Sequence, residues 1–214
     1  MTGKRIIQPG QGYTFSKYFE LPYTTKDILA DFNCSYEKKI LELPTYPMNI
    51  GYLDFLNRYL KRNISIFDSV AEIAIREMLI SPILVEVCEQ TQSILYIEYS
   101  VNVNEQLKGT FDYYLVSQNS LLVLEAKQSD LKRGFNQLAV ELLALDQWID
   151  SPNPILYGSV TNGYDWKFGL LQRQEKRIIE DTKLYRVPEG LEELLRVLVG
   201  ILSNSNVRIQ NPES

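Results

Sequence analysis

The stretch GTFDYYLVSQNSLLVLEAK, Gly109 to Lys127, decides how the rest of the chain is read. Two runs of aromatic, β-branched and aliphatic residues flank Gln118-Asn119, which reads as an antiparallel hairpin with a two-residue turn. Ser117 then faces Ser120, and counting back along both strands brings Asp112 opposite Glu125. Opposed side chains in such a pair share a face, with Cβ atoms ~4.5–5.5 Å apart. Lys127 lies two residues beyond Glu125 and shares that face as well. The unbroken apolar run Leu121 to Leu124 marks the second strand as interior. Two carboxylates placed this way repel, and repulsion with partial burial raises the pKa of Asp112 or Glu125, against the pull of Lys127. A hard cation with oxygen ligands would relieve the repulsion, and Mg²⁺ typically takes one or two carboxylates plus waters and substrate phosphate. The Lys127 ammonium could then orient a water or stabilise charge on a phosphate. A Lys127 that only bridges the two acids fits the same pattern, so the hairpin alone leaves the chemistry open.

Working outward, Asp68-Ser69 caps a helix through Val70, Ile73, Ala74, Glu77 and Ile80, and Pro82 either kinks it or starts a second helix to Glu89. SILYIEYSVNV reads as the strand before the hairpin. Leu131 to Ile149 has helical apolar spacing. PILYGSV and DWKFGLLQ read as two strands joined at Asn162-Gly163, and Gly190 to Leu202 as an amphipathic helix. Upstream, Thr24 with Asp27 caps a short helix over Lys26 to Phe32, and Tyr52 to Arg62 forms another, with Leu53, Leu56 and Leu60 on one face. Gly10-Gln11-Gly12 is too short and too early for a phosphate loop. The expected class is α/β with a mixed sheet flanked by helices. Residues 1–65 are expected to be an extension packed on a core of residues 66–203, followed by a polar tail over 204–214.

Composition narrows the chemistry. The chain has 214 residues, 45% hydrophobic and 23% charged, which excludes global disorder. It has no histidine, so Ser-His-Asp triads, Cys-His pairs, histidine zinc sites and a histidine base are all excluded. The net charge of −5 gives no global basic field for a nucleic acid. Local patches remain: Lys132 and Arg133 after the hairpin, and Lys167, Arg173, Lys176 and Arg177 further on, read either as phosphate contacts or as a solvated surface, with Glu175, Glu180 and Asp181 interleaved. Trp166 reads as core, and the Tyr-rich N-terminal region as packing or a partner surface. Cys34 and Cys88 read as two buried thiols of a reducing cytoplasm, with a single disulfide as the alternative. The first residues lack the apolar run of a signal peptide, and no stretch approaches the ~18 apolar residues of a membrane span, so a cytoplasmic protein without membrane contact is expected.

Asp112, then Glu125-Ala126-Lys127, then a helix carrying Gln137, resembles the PD-(D/E)XK nuclease superfamily with its restriction-endonuclease-like fold. AEIAIREMLISPIL, with Glu72 and Arg76, is similar to the opening helix of the nuclease domains of type I restriction motor subunits. GFNQLAVELLAL and PILYGSVTNGYDWKFG are similar to their later helix and hairpin, so the likeness runs from about Asp68 to Gln172. Two departures stand out: Phe111 replaces the Pro before the Asp, and Glu141 stands four residues after Gln137, where the family often has Tyr. The resemblance implies a DNA phosphodiesterase using Mg²⁺ or Mn²⁺. Asp112 and Glu125 would ligate the metal, with the Ala126 carbonyl as a further ligand and Glu72 close by. Lys127 would position or activate the attacking water, and Gln137 would reach a phosphate or steady Lys127. The simpler readings are an ion pair between Glu72 and Arg76 on an exposed face, and a solvated Gln137. The resemblance also implies DNA as partner, with a second copy of the chain or a separate motor subunit beside it. The competing class is an inactive nuclease-like domain that binds nucleic acid or protein. Glycoside hydrolysis by the acid pair fits poorly with a lysine on the same face.

Overall fold

The computed structural model describes residues 5–8, 10–47, 52–66, 71–118, 120–127 and 130–203. The proposed cap at Asp68-Ser69, the turn residue Asn119 and the 204–214 tail lie outside them.

The hairpin forms with the expected register. Strand β3 (Leu107–Val116) pairs antiparallel with β4 (Leu121–Ala126), Tyr113 opposite Leu124 and Val116 opposite Leu121. β2 (Ile94–Asn104) pairs with the other edge of β3. The 18-residue helix α6 (Leu131–Trp148), N-capped by Asp130, then crosses to β5 (Ile155–Thr161), which runs parallel to β4. A parallel neighbour demands such a crossover, since a tight turn can only reverse the chain. β5 and β6 (Asp165–Gln172) form the second hairpin, and Gly163 supplies the positive φ (88°) its turn needs.

Beyond β6 the structure departs from the sequence reading. Arg177–Asp181, read as a charged stretch, is strand β7, and Ser35–Lys39 is strand β1, parallel to β7 at the sheet edge. Tyr185–Arg186 adds a short β8 beside β6. The sheet has eight strands, with the order β1-β7-β6-β5-β4-β3-β2 along its main path. The N-terminal region therefore packs on the core and also extends its sheet. Helix α1 (Phe15–Glu20) was absent from the sequence reading; α2 (Thr25–Ala30) carries the expected Thr24 cap.

Side chains of β4 alternate between two cores. Leu121 and Val123 face α6, α1 and α2. Leu122, Leu124 and Ala126 face α3 (Leu53–Ile66), α5 (Ser81–Thr91) and α7 (Leu191–Ser203). The helix before β2 is not continuous α: α4 (Glu72–Ile75) runs into a π-helical turn, Arg76–Ile80, and then α5. Pro82 explains the irregularity. It has no N–H for the Met78 carbonyl four residues back, and the buried Asn63 amide donates to that carbonyl instead, at 2.8 Å.

Candidate active site

The end of β4 brings the chemically interesting residues together. By alternation Glu125 points beneath α6, and it is 1% exposed. Its Oε1 meets the Lys127 ammonium in an ion pair. Lys127 is also 5.3 Å from the centre of the Phe19 ring on α1, a cation–π contact that sequence reasoning missed. Helix α6 comes this close because Gly134 has no side chain: a Cβ there would sit 2.6 Å from Val160 Cγ2 and 3.0 Å from Lys127 Cγ.

The alternation resets at Asp112: Phe111 joins the α6-side core and Tyr113 the opposite one. Asp112 stays within electrostatic reach of Glu125. Glu98, which occupies the matching position on β2, has φ of 54°, a bulge-like kink shared by both strands. Asp112 turns its Oδ2 to the Ala126 N–H at 2.8 Å, while Oδ1 lies 3.6 Å from Arg76 Nη1. Ala126, proposed as a carbonyl ligand, thus meets Asp112 first through its amide.

Arg76 also pairs with Glu98 at 2.6 Å and lies over the Tyr113 ring at 5.0 Å. Its partner on the helix is therefore not Glu72. Glu72 is half-buried and in electrostatic reach of Lys127 and Asp112; burial pushes its pKa up, and Lys127 works against that rise. The exposed-face pair anticipated for Glu72 and Arg76 is absent from this arrangement.

Gln137 is buried, not solvated, and donates to Glu141 Oε1 at 2.8 Å. Glu141, a departure from the family pattern, is itself fully buried and is the third acid of the cluster. Burial raises the Glu125 pKa well above its ordinary value, and the charges of Glu141 and Asp112 add to the rise against Lys127. Glu141 is raised too, to about 7, by burial first, with the Gln137 hydrogen bond opposing. For Lys127, burial disfavours the ammonium, but Glu125, Asp112 and Glu72 outweigh it and the pKa is raised. Lys127 is a cation at neutral pH.

Three buried oxygens of this cluster have neither a hydrogen-bond nor an ion-pair partner: Glu125 Oε2, Gln137 Oε1 and Glu141 Oε2. Unpartnered buried acceptors are costly and call for a proton or a cation. An oxygen-only set suits a hard divalent ion in kind. Among the described residues, no three Asp, Glu or Cys side chains already stand in a metal-holding arrangement.

The basic residues are largely engaged. Lys167 pairs with Glu180 at 2.9 Å, Arg173 holds Asp146 and the Ser151 and Asn153 carbonyls, and Arg177 is 3.7 Å from Glu37. Arg133 lies 3.5 Å from Asp130 at the start of α6. Both cysteines are free thiols, and Trp166 is core. Among the described residues no helix is long and apolar enough to cross a membrane. No protein-family model matches the chain, and no curated protein matches it either.

The raised acids give a signed stability prediction for the metal-free protein. An acid whose folded pKa is raised holds its proton more tightly when folded, so its contribution is full below the ordinary value of 4.5 and is lost as pH rises toward the folded one. Glu141→Gln keeps the acceptor for Gln137 and offers an N–H toward Glu125. It is expected to stabilise the protein at pH 8 by about 1–3 kcal/mol. At ~2–4 °C per kcal/mol the gain is visible in thermal melts, and it should shrink toward pH 5. A variant less stable than wild type at pH 8 would show that the acids are not uncompensated.

Proposed function

We propose that this chain is a metal-dependent nuclease that hydrolyses DNA phosphodiester bonds by water attack at the Asp112, Glu125 and Lys127 cluster. The observation that carries the reading is the Lys127 ammonium, held against the buried Glu125 and in electrostatic reach of Asp112 and Glu72, beside acceptor oxygens that lack donors. Asp112 and Glu125, with the Ala126 carbonyl and Glu72, are the residues that would hold Mg²⁺ or Mn²⁺. Bound there, such an ion polarises a phosphate and lowers the pKa of a water.

The chain's own residues supply the rest. Lys127 donates hydrogen bonds toward the attacking water or the charge that develops on the phosphate. Glu125 and Phe19 fix its position, and Gly134 leaves room for its stem. Arg76 and the Ala126 amide orient Asp112. Gln137, anchored by Glu141, keeps its Oε1 available.

One observation favours the inactive binding module. Asp112 already has Arg76 on one oxygen and a backbone amide on the other, which neutralises it without metal. Calorimetric titration with Mg²⁺ and Mn²⁺, followed by cleavage assays on linear, nicked and branched DNA, separates the two. Metal binding with cleavage of any form supports the nuclease. A protein that neither binds metal nor cuts is the binding module.

A further inference from the structure

Helix α3 carries two apolar stripes. Leu53, Leu56 and Leu60 turn to the core. Tyr52, Phe55 and Tyr59, spaced three and four apart, turn the other way, with Phe55 58% and Tyr52 60% exposed. The rings form a ladder, Tyr52 edge-on to Phe55 at 6.4 Å and Phe55 stacked on Tyr59 at 6.3 Å. Val85 on α5, 57% exposed, closes the other wall of a groove of about 450 Å³. Folding explains the first stripe and not the second.

Charge decides what fits. Glu77, Glu86 and Glu89 line the groove, and none of its lining residues is Lys or Arg. A nucleic acid or an anionic membrane surface is repelled there, and a second copy, with net charge −5, gains nothing electrostatically. A groove between two helices takes a third helix through anchors at i, i+3 or i+4, and i+7. We propose that this groove docks a cationic amphipathic helix of a partner protein, its apolar residues on the aromatic ladder and its Lys or Arg flank on the three glutamates. The surface stands independently of the nuclease reading, yet it backs onto the candidate site. Glu77 follows Arg76 on the π-helical turn, and the Ser81 hydroxyl, in the groove lining, is 3.1 Å from the Tyr113 hydroxyl.

The test uses the full chain and a fluorescently labelled synthetic Leu/Lys amphipathic helix of about five turns, followed by anisotropy. Saturable binding is expected, falling as salt rises. Phe55→Asp, at an exposed position, should weaken it at least tenfold, and so should the combined Glu77→Lys, Glu86→Lys and Glu89→Lys variant. Unchanged circular dichroism and melting would confirm that both remain folded. A control peptide with each Leu replaced by Gln should not bind. No binding, or binding indifferent to both variants, overturns the proposal. Sedimentation showing self-association that Phe55→Asp abolishes would assign the groove to a second copy and overturn it as well.

Discussion

Replacing Lys127 and Asp112 should separate two kinds of failure. Lys127→Ala removes no metal ligand and takes positive charge from the site, so binding of Mg²⁺ or Mn²⁺ should stay intact or tighten slightly. Cleavage should still fall by roughly 10²–10³, the usual cost of losing one preorganised electrostatic partner of the transition state. Asp112→Asn should lose metal affinity and, with it, activity. Its amide oxygen can still accept from the Ala126 N–H, so the fold contact at 2.8 Å survives. Gln137→Ala should cost less than either, since a neutral group contributes weaker electrostatics than an ion. Because Lys127→Ala removes the packed stem as well as the cation, Lys127→Met, which keeps an apolar stem against Gly134, isolates the loss of charge, and circular dichroism of both variants checks folding. Calorimetric metal binding and single-turnover cleavage on the same variants distinguish these outcomes. If all of them cut like wild type, the chemistry lies elsewhere.

Much of this geometry was legible in the sequence, for reasons that are specific to each element. The hairpin register followed from a two-residue turn, and the structure keeps Tyr113 opposite Leu124 and Val116 opposite Leu121. Helix α6 was legible from its 3.6-residue apolar spacing, and its crossover made the next strand parallel. The orientation of Asp112 was not, because a left-handed residue on the neighbouring strand, Glu98, breaks the alternation that pattern reading assumes. The burial of Glu141 escaped too. A glutamate four residues after Gln137 could be seen, but not that one oxygen of it, and one of Glu125, would be buried without a partner. Gly134 could have been questioned as a glycine inside a helix, which often marks close packing. The edge strand β1 and its neighbour β7 were missed because SYEKK and RIIED carry few apolar residues or interleave them with charge, and Glu180 is met by partners on two other strands, Tyr36 and Lys38 of β1 lying more than a hundred positions away.

The β1–β7 side of the sheet carries the second large effect. Glu180 on β7 is buried and accepts from Tyr36 Oη, from Lys38 Nζ at 3.0 Å and from Lys167 Nζ at 2.9 Å, so one carboxylate joins β1, β7 and β6. Its neighbour Asp181 faces the other way and accepts the Leu41 and Lys183 amides, closing the chain after β1. Burial alone would raise the Glu180 pKa, but the hydrogen bonds from Tyr36, Lys167 and Lys38 outweigh it and lower it below 4.5. An acid with a depressed folded pKa contributes stability above its unfolded value and loses it as pH falls through the folded one. Glu180→Ala should therefore cost about 3 kcal/mol at neutral pH, near the low end for breaking a buried pair, because Lys38 is half-exposed and can turn to solvent while Lys167 cannot. Lys38→Met should cost much less, since Tyr36 and Lys167 remain. Urea unfolding across pH 3 to 8 reads both predictions. Wild type should lose stability below pH 4.5 more steeply than Glu180→Gln, which has no carboxylate to protonate at this position. Equal acid slopes for the two proteins would mean that Glu180 does not tie β1 to the sheet by its charge, and that the apolar contacts of Leu41 with Leu170 and Ile179 hold that edge instead.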